Sequence, residues 1–314
     1  DAKAEQERIH ALFPDRDENL VDDALIALEL GDAGTHAALL REFAKDHPTS
    51  WAVLGRLVDA EAAAGRTGEA VATLARARAM SSWPGDDLLV KIALIEGFDY
   101  LYPFRRDAVS SIAAFEAANA GEDMVEGTPS IEVLDHVTHR IYRDGSTLTR
   151  YHSVRKLLTK EGVEAGSDFV APPGASIIGL RTIKPDGRTL LPEDIAGKGT
   201  ISYPSLEPGD FTEAEWIQAT GPSTMFPGGF LLERWFFQVF DQVLFHSEVV
   251  VVAPAGMDFS IDPRGSPPAV VETGAGALVV TTLTAERSPH VKGEPGSPAW
   301  VEFLPSVRLS RGAS

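Results

Sequence analysis

The chain has 314 residues, 44% of them hydrophobic and 24% charged, with 46 acidic against 28 basic side chains and a formal charge of −18. Those proportions describe a folded chain long enough for two domains, and a surface that repels phosphate backbones, which excludes nucleic acid as a partner. With no cysteine, disulfides, thiolate catalysis and thiolate-held metals are excluded too.

No apolar run approaches the ~18 residues of a membrane-crossing helix, so no membrane insertion is expected. The chain begins at Asp1 rather than methionine. It is expected to be a processed or cut form of an exported protein, periplasmic or extracellular.

Helical periodicity runs through the first 120 residues. Leu20, Ala24, Leu25 and Leu28 fall on one stripe, and Ala37, Leu40 and Phe43 on the next. Gly31 and Gly65 stand 34 residues apart, as do Leu40 and Leu74. A period of 34 with glycine between paired helices resembles the tetratricopeptide repeat. Gly65, Ala70, Leu74 and Ala77 fit its turn and packing positions. A third pair, roughly 86–97 and 104–118, is expected to cap the stack. The predicted helical domain is therefore 1–128, an α-hairpin stack whose concave groove suits a protein or peptide.

The polar segment 119–130 marks the boundary, and beyond it the period drops to two. Asp144-Gly145 and Pro185-Asp186-Gly187 each read as a tight turn between strands. The run 230–254 reads as a long pair of apolar strands, and 267–283 as two more around Gly274–Gly276. Residues 129–314 are predicted to form an antiparallel β-sandwich.

Three stretches of this half, taken together, resemble a bacterial domain of unknown function that precedes transglutaminase-like, papain-fold domains. They are "YHSVRKLLTKEGVEAGSDF" at 151–169, "LRTIKPDGRTLLP" at 180–192 and the Pro-x-Leu-x-Pro-Gly-Asp segment at 204–210. "EPGSPAWVEFLPSVRLSRGAS" resembles the closing strand of that domain. The resemblance spans about 130–310. It implies that a papain-fold domain carrying Cys, His and Asp would follow Ser314, and it transfers no catalytic residue to this chain.

The segment 201–216 poses its own question, because Pro204, Pro208 and Gly209 interrupt a strand-like run that holds Leu206 between the prolines. Proline cannot donate to a ladder, so a strand corner with Leu206 tucked beneath the sheet is expected. Other constellations carry little. His136 and His139, three apart on a strand, point to opposite faces and cannot share a metal. The acidic runs at 15–19 and 258–262 lack the glycine and glutamate of a calcium loop, and the 197–200 segment lacks phosphate-loop spacing. No catalytic residue, metal or cofactor is assigned.

Aromatics remain. Trp216, Trp235 and Phe237, with Leu206, form the candidate binding surface, although burial of Trp235 among Phe236, Phe237 and Phe240 is the stronger expectation. The expected function is a non-catalytic interaction and scaffold region of a larger, exported transglutaminase-like protein, its partner the C-terminal enzyme domain. The alternatives are a glycan- or peptide-binding sandwich module and a hydrolase using histidine and carboxylates.

Overall fold

The computed structural model describes residues 2–12, 19–78, 101–118, 127–192, 200–223, 225–240, 242–292, 296, 299 and 302–312. The fold is α+β, with helices first and strands after them. It divides into two compact units, Asp1–Asp99 and Tyr100–Ser314.

The first unit holds α1 (Ala2–Leu12), α2 (Asn19–Glu29), α3 (Ala33–Asp46), α4 (Trp51–Ala63) and α5 (Thr67–Arg78). Each packs on the next, and the connections from α2 onward are three or four residues long, which makes neighbours antiparallel. Two glycines produce the repeat. Gly31 (φ 76) and Gly65 (φ 72) are both left-handed. Asp32 N–H donates to Ala27 C=O at 2.9 Å, and Arg66 N–H to Glu61 C=O at 2.8 Å. This is the same six-to-one helix stop, repeated at the sequence period.

Small residues let these helices approach closely. Ala24, Ala37, Leu40, Ala44, Val53, Leu57 and Ala60 form the core, and Ala70, Leu74 and Ala77 are buried as expected. The predicted stripe on α2 is displaced, because Ala24 and Ala27 are buried while Leu25 and Leu28 are about half exposed. Alanine faces the close helix contact and leucine is turned outward. Buried Glu61 ties three helices together, accepting from Arg41 at 3.0 Å and from Thr73 Oγ1 at 3.0 Å.

The second unit begins with a 3₁₀ turn at Tyr102–Phe104 and α6 (Ala108–Ala117). Its strands are β1 (Ser130–Ile141), β2 (Thr147–Leu157), β3 (Asp168–Phe169), β4 (Ser176–Ile183), β5 (Thr189–Leu190), β6 (Ile201–Ser202) and β7 (Phe211–Thr220). They continue with β8 (Phe230–Leu231), β9 (Trp235–Phe236), β10 (Val243–Pro254), β11 (Ser260–Arg264), β12 (Val271–Ala275), β13 (Leu278–Ser288) and β14 (Ser306–Arg311). A short helix, α7 (Lys160–Ala165), lies between β2 and β3.

The main sheet has eight strands in the order β12-β13-β10-β1-β2-β7-β4-β5 and does not close into a barrel. It is mixed rather than antiparallel, because β1 and β10 pair in parallel along Ile131↔Val243 to Arg140↔Val252. Parallel partners need a long crossover, and about 100 residues separate these two strands.

A second sheet, β11-β14-β8 with β9 also on β14, covers one face of the first. Val137, Ile141, Val249, Val251 and Leu283 meet Phe230, Leu232, Phe237, Val307 and Leu309 there. The run at 230–240 is not half of a long strand pair. It is split into the two-residue strands β8 and β9, which add to β14 through Arg311↔Phe230 and Val307↔Trp235.

The other face of the main sheet receives α6. Ala108 and Phe115 pack with Ile131, Val133, Leu134, Val154, Ile183 and Phe211. The helix expected to cap the α stack thus lies in the β unit, and the division falls at 99/100 rather than 128/129. Phe115 is buried on the apolar face of the sheet, which removes its ring from water. Residues 86–97, the expected partner helix, lie outside the described residues.

Candidate functional site

Side chains alternate across a strand, and one face of the main sheet gathers charge through that alternation. Register places His136 opposite His152 and Glu248, and His152 opposite Glu215. Arg150 and Glu213 flank this row on β2 and β7, and Arg181 pairs with Glu213 across β4. His136, Arg150, His152, Glu213, Glu215 and Glu248 are all at most 2% exposed. Charge buried so completely must be paired to be tolerated.

The pairing is extensive. Glu213 accepts from His152 Nε2 at 3.0 Å and from Arg181. Glu215 contacts Arg150 and accepts from Arg105 at 3.2 Å. Glu248 accepts from Arg106 at 2.9 Å and lies 3.6 Å from His136 and 3.3 Å from His246. Arg105 and Arg106 precede α6, so the segment leading into that helix inserts two guanidinium groups onto the sheet.

Burial opposes ionisation of Glu213, but the bonds from His152 and Arg181 outweigh it and hold the carboxyl below its ordinary range. Burial likewise opposes ionisation of Glu248, and His136, His246 and Arg106 outweigh it. Burial lowers His136 despite Glu248 beside it, so that imidazole is neutral at pH 7. On the opposite face, buried His139 bonds Thr149 Oγ1 through Nδ1 at 2.9 Å. Burial, with a smaller contribution from His136, pushes His139 down to about 3. The expectation that His136 and His139 point to opposite faces holds.

His152, Glu213 and Glu215 each offer a ligand atom within 4.8 Å of the others, the spacing of a metal site. The positive charge that a divalent ion would bring is already supplied by Arg181 on Glu213, and by Arg150 and Arg105 on Glu215. This constellation is an ion-pair network that fastens the 105–106 segment to the sheet. No sequence motif marked it. Its signal was charge at period two on three strands, in His136-x-Thr138-x-Arg140, Arg150-x-His152 and Glu213-x-Glu215.

The predicted surface residues are not one patch. Phe237 is 1% exposed in the core between the sheets. Trp235 is half-buried against the same core and donates its Nε1–H to Ser247 Oγ at 3.0 Å. Trp216 lies farther along the sheet, stacked on Tyr151 with centroids 5.0 Å apart and 14° between planes, and 5.4 Å from Phe169. Leu206 is half-buried in its loop.

That loop and the Pro-Asp-Gly turn are one structure. Lys184 Nζ donates to Ser205 C=O at 2.5 Å and to Asp210 Oδ2 at 2.7 Å, and Asp210 Oδ2 accepts from Glu207 N–H at 2.7 Å. Gly209 (φ 101) and Ser205 (φ 51) supply the left-handed residues of the bend. The hydrogen bond to Asp210, with that carboxylate's charge, raises the Lys184 pKa against desolvation. The prolines end a strand, and the lysine fixes where the chain goes next.

In the acidic segment 258–262, Asp262 pairs locally with Arg234 and Arg308. Residues 15–18 and 197–199 lie outside the described residues.

No protein-family model matches the chain, and no curated protein matches it. Among solved structures it is similar to one described as a "putative protease" from Parabacteroides distasonis ATCC 8503, at 19% identity and a TM-score of 0.50. The match covers 58% of this chain and 40% of that one. The likeness is one of fold. Among the described residues, no helix is long and apolar enough to cross a membrane.

Proposed function

We propose that this chain is a non-catalytic interaction and scaffold region of a larger, exported transglutaminase-like protein. The observation that carries this reading is the buried charged face. Its carboxylates are bonded to arginine or histidine and are shut away from solvent, a device for holding elements in place rather than for meeting a substrate. The chain also lacks the thiol that papain-fold chemistry requires. The fold shared with the Parabacteroides structure spans 40% of that chain, so most of that longer protein, described as a protease, lies beyond the shared part. In this reading the helical unit is a tetratricopeptide-like stack. A cavity of about 380 Å³, lined by His10, Asp23, Ile26, Leu30 and Leu39, is its peptide-sized groove. The β unit is the sandwich that positions the enzyme domain.

Mass-spectrometric mapping of the gene product in its own cells tests this. Peptides beyond Ser314 bearing Cys, His and Asp of a papain-fold domain, in an exported fraction, are expected. A product ending near Ser314 that itself turns over amide or ester reporters would overturn the reading.

A further inference from the structure

The register between β1 and β2 shifts between Glu132 and Leu134, and this irregularity turns Glu132 and Asp135 to the same face. Glu132 is fully engaged, accepting from Ser153, from Arg155 Nε at 2.9 Å and from Gln242 Nε2 at 2.8 Å. Asp135 sits between Ser153 and Ser247 in the ladder. Its Oδ2 accepts from Ser247 Oγ at 2.9 Å, and that oxygen accepts from the Trp235 indole N–H at 3.0 Å. One hydroxyl thus links a carboxyl on the main sheet to an indole on the second sheet. Trp235 belongs to the two-residue strand β9, which pairs with β14 at Ser306↔Phe236 and Val307↔Trp235, with one further backbone bond from Phe237 N–H to Pro305 C=O at 2.8 Å.

We propose that ionisation of Asp135 releases Trp235 and opens the seam between the two sheets, so that alkaline pH uncovers an aromatic surface there. Burial, and then the negative charge of Glu132, push the Asp135 carboxyl up to about 8. The Ser247 hydrogen bond and the positive charges of Arg155 and His246 act the other way and are outweighed. Asp135 is therefore protonated at pH 7. Two effects compete when the proton leaves. A charged carboxylate strengthens the bond from Ser247, but it also lacks water, and burial is the larger of the two influences on this group.

Water must enter. β2 and β10 are held to β1 by long ladders, whereas β9 is the short cover, so β9 yields. Trp235 then exposes its ring beside Phe236, its neighbour on β9. The sign for stability follows. The folded-state pKa exceeds the ordinary value of ~3.9, so this contribution is full below pH ~4 and is lost as pH rises toward 8.

The full chain is titrated from pH 6 to 9.5, following the indole Hε1 resonance and tryptophan emission, with Trp235→Phe identifying Trp235 among the five tryptophans. The Trp235 resonance should titrate near pH 8, with faster exchange with water and red-shifted emission, and Asp135→Asn should abolish all three. A flat Trp235 signal, or one that still titrates in Asp135→Asn, overturns the proposal. Should Asp135→Asn not fold, Ser247→Ala keeps the carboxyl and removes the hydroxyl that joins it to the indole. The Trp235 signal should then lose its titration near pH 8, and a signal that titrates unchanged overturns the proposal.

Discussion

At Gly145 two requirements meet in one residue. Its φ of 83° suits glycine, and a Cβ there would lie 2.3 Å from the Gly229 carbonyl oxygen. A left-handed alanine costs ~1 kcal/mol, and a clash with backbone cannot be relieved by a rotamer change. Gly145→Ala should therefore destabilise the β unit by about 2–4 kcal/mol, measured by urea denaturation. A loss below ~1 kcal/mol would mean that the 228–229 segment moves aside freely. The aromatic pair around β9 separates by burial. Phe237→Ala should cost about 3–5 kcal/mol, and the half-buried Trp235→Ala distinctly less. Trp235→Phe, which loses chiefly the Ser247 bond, should cost ~1 kcal/mol. Lys184→Met removes the positive partner of Asp210, which is 2% exposed. A loss on the order of 3 kcal/mol is expected, and Asp210→Asn in the same background should recover part of it.

Helix α6 is fastened by two different forces. Phe115 is packed edge-on to Phe245 at 5.1 Å, and the preceding arginines hold Glu215 and Glu248 on the sheet. The first force is independent of pH and the second is not. Glu248 is held below its ordinary range, so its contribution is present above the unfolded value of ~4.3. It is lost as pH falls through the folded value. Urea midpoints measured between pH 2.5 and 6 should fall with acid, and Glu248→Gln should flatten that dependence. An unchanged slope in Glu248→Gln would show that this carboxylate is not part of the acid response.

For the whole molecule, the position of α6 sets the smallest part that folds. A fragment starting at residue 129 lacks Ala108 and Phe115 and would bare Ile131, Leu134, Val154 and Phe211, an apolar area that soluble chains rarely expose. Fragment 129–314 should aggregate, whereas 100–314 should elute as a folded species. Size-exclusion chromatography with circular dichroism distinguishes them, and a stable 129–314 would show that α6 is dispensable.

What the sequence determined by itself is local. A glycine that stops a helix, as Gly31 and Gly65 do, acts through backbone bonds within six residues, so the 34-residue period was legible without a structure. The turns at Asp144-Gly145 and Pro185-Gly187, and the change of period after residue 130, are equally local. Tertiary structure decided the rest. Whether β1 pairs in parallel with β10, about 100 residues away, depends on which partners the chain can reach, and no pattern within either strand states it. The amphipathic turns of α6 would suit a helix stack or a sheet, and only the apolar area on offer decides between them. The one-residue irregularity after Glu132 turns two carboxylates to one face, and the charged face exists only because five strands bring Arg, His and Glu into register. A charge at period two reads as a solvated strand face until another element is seen to cover it.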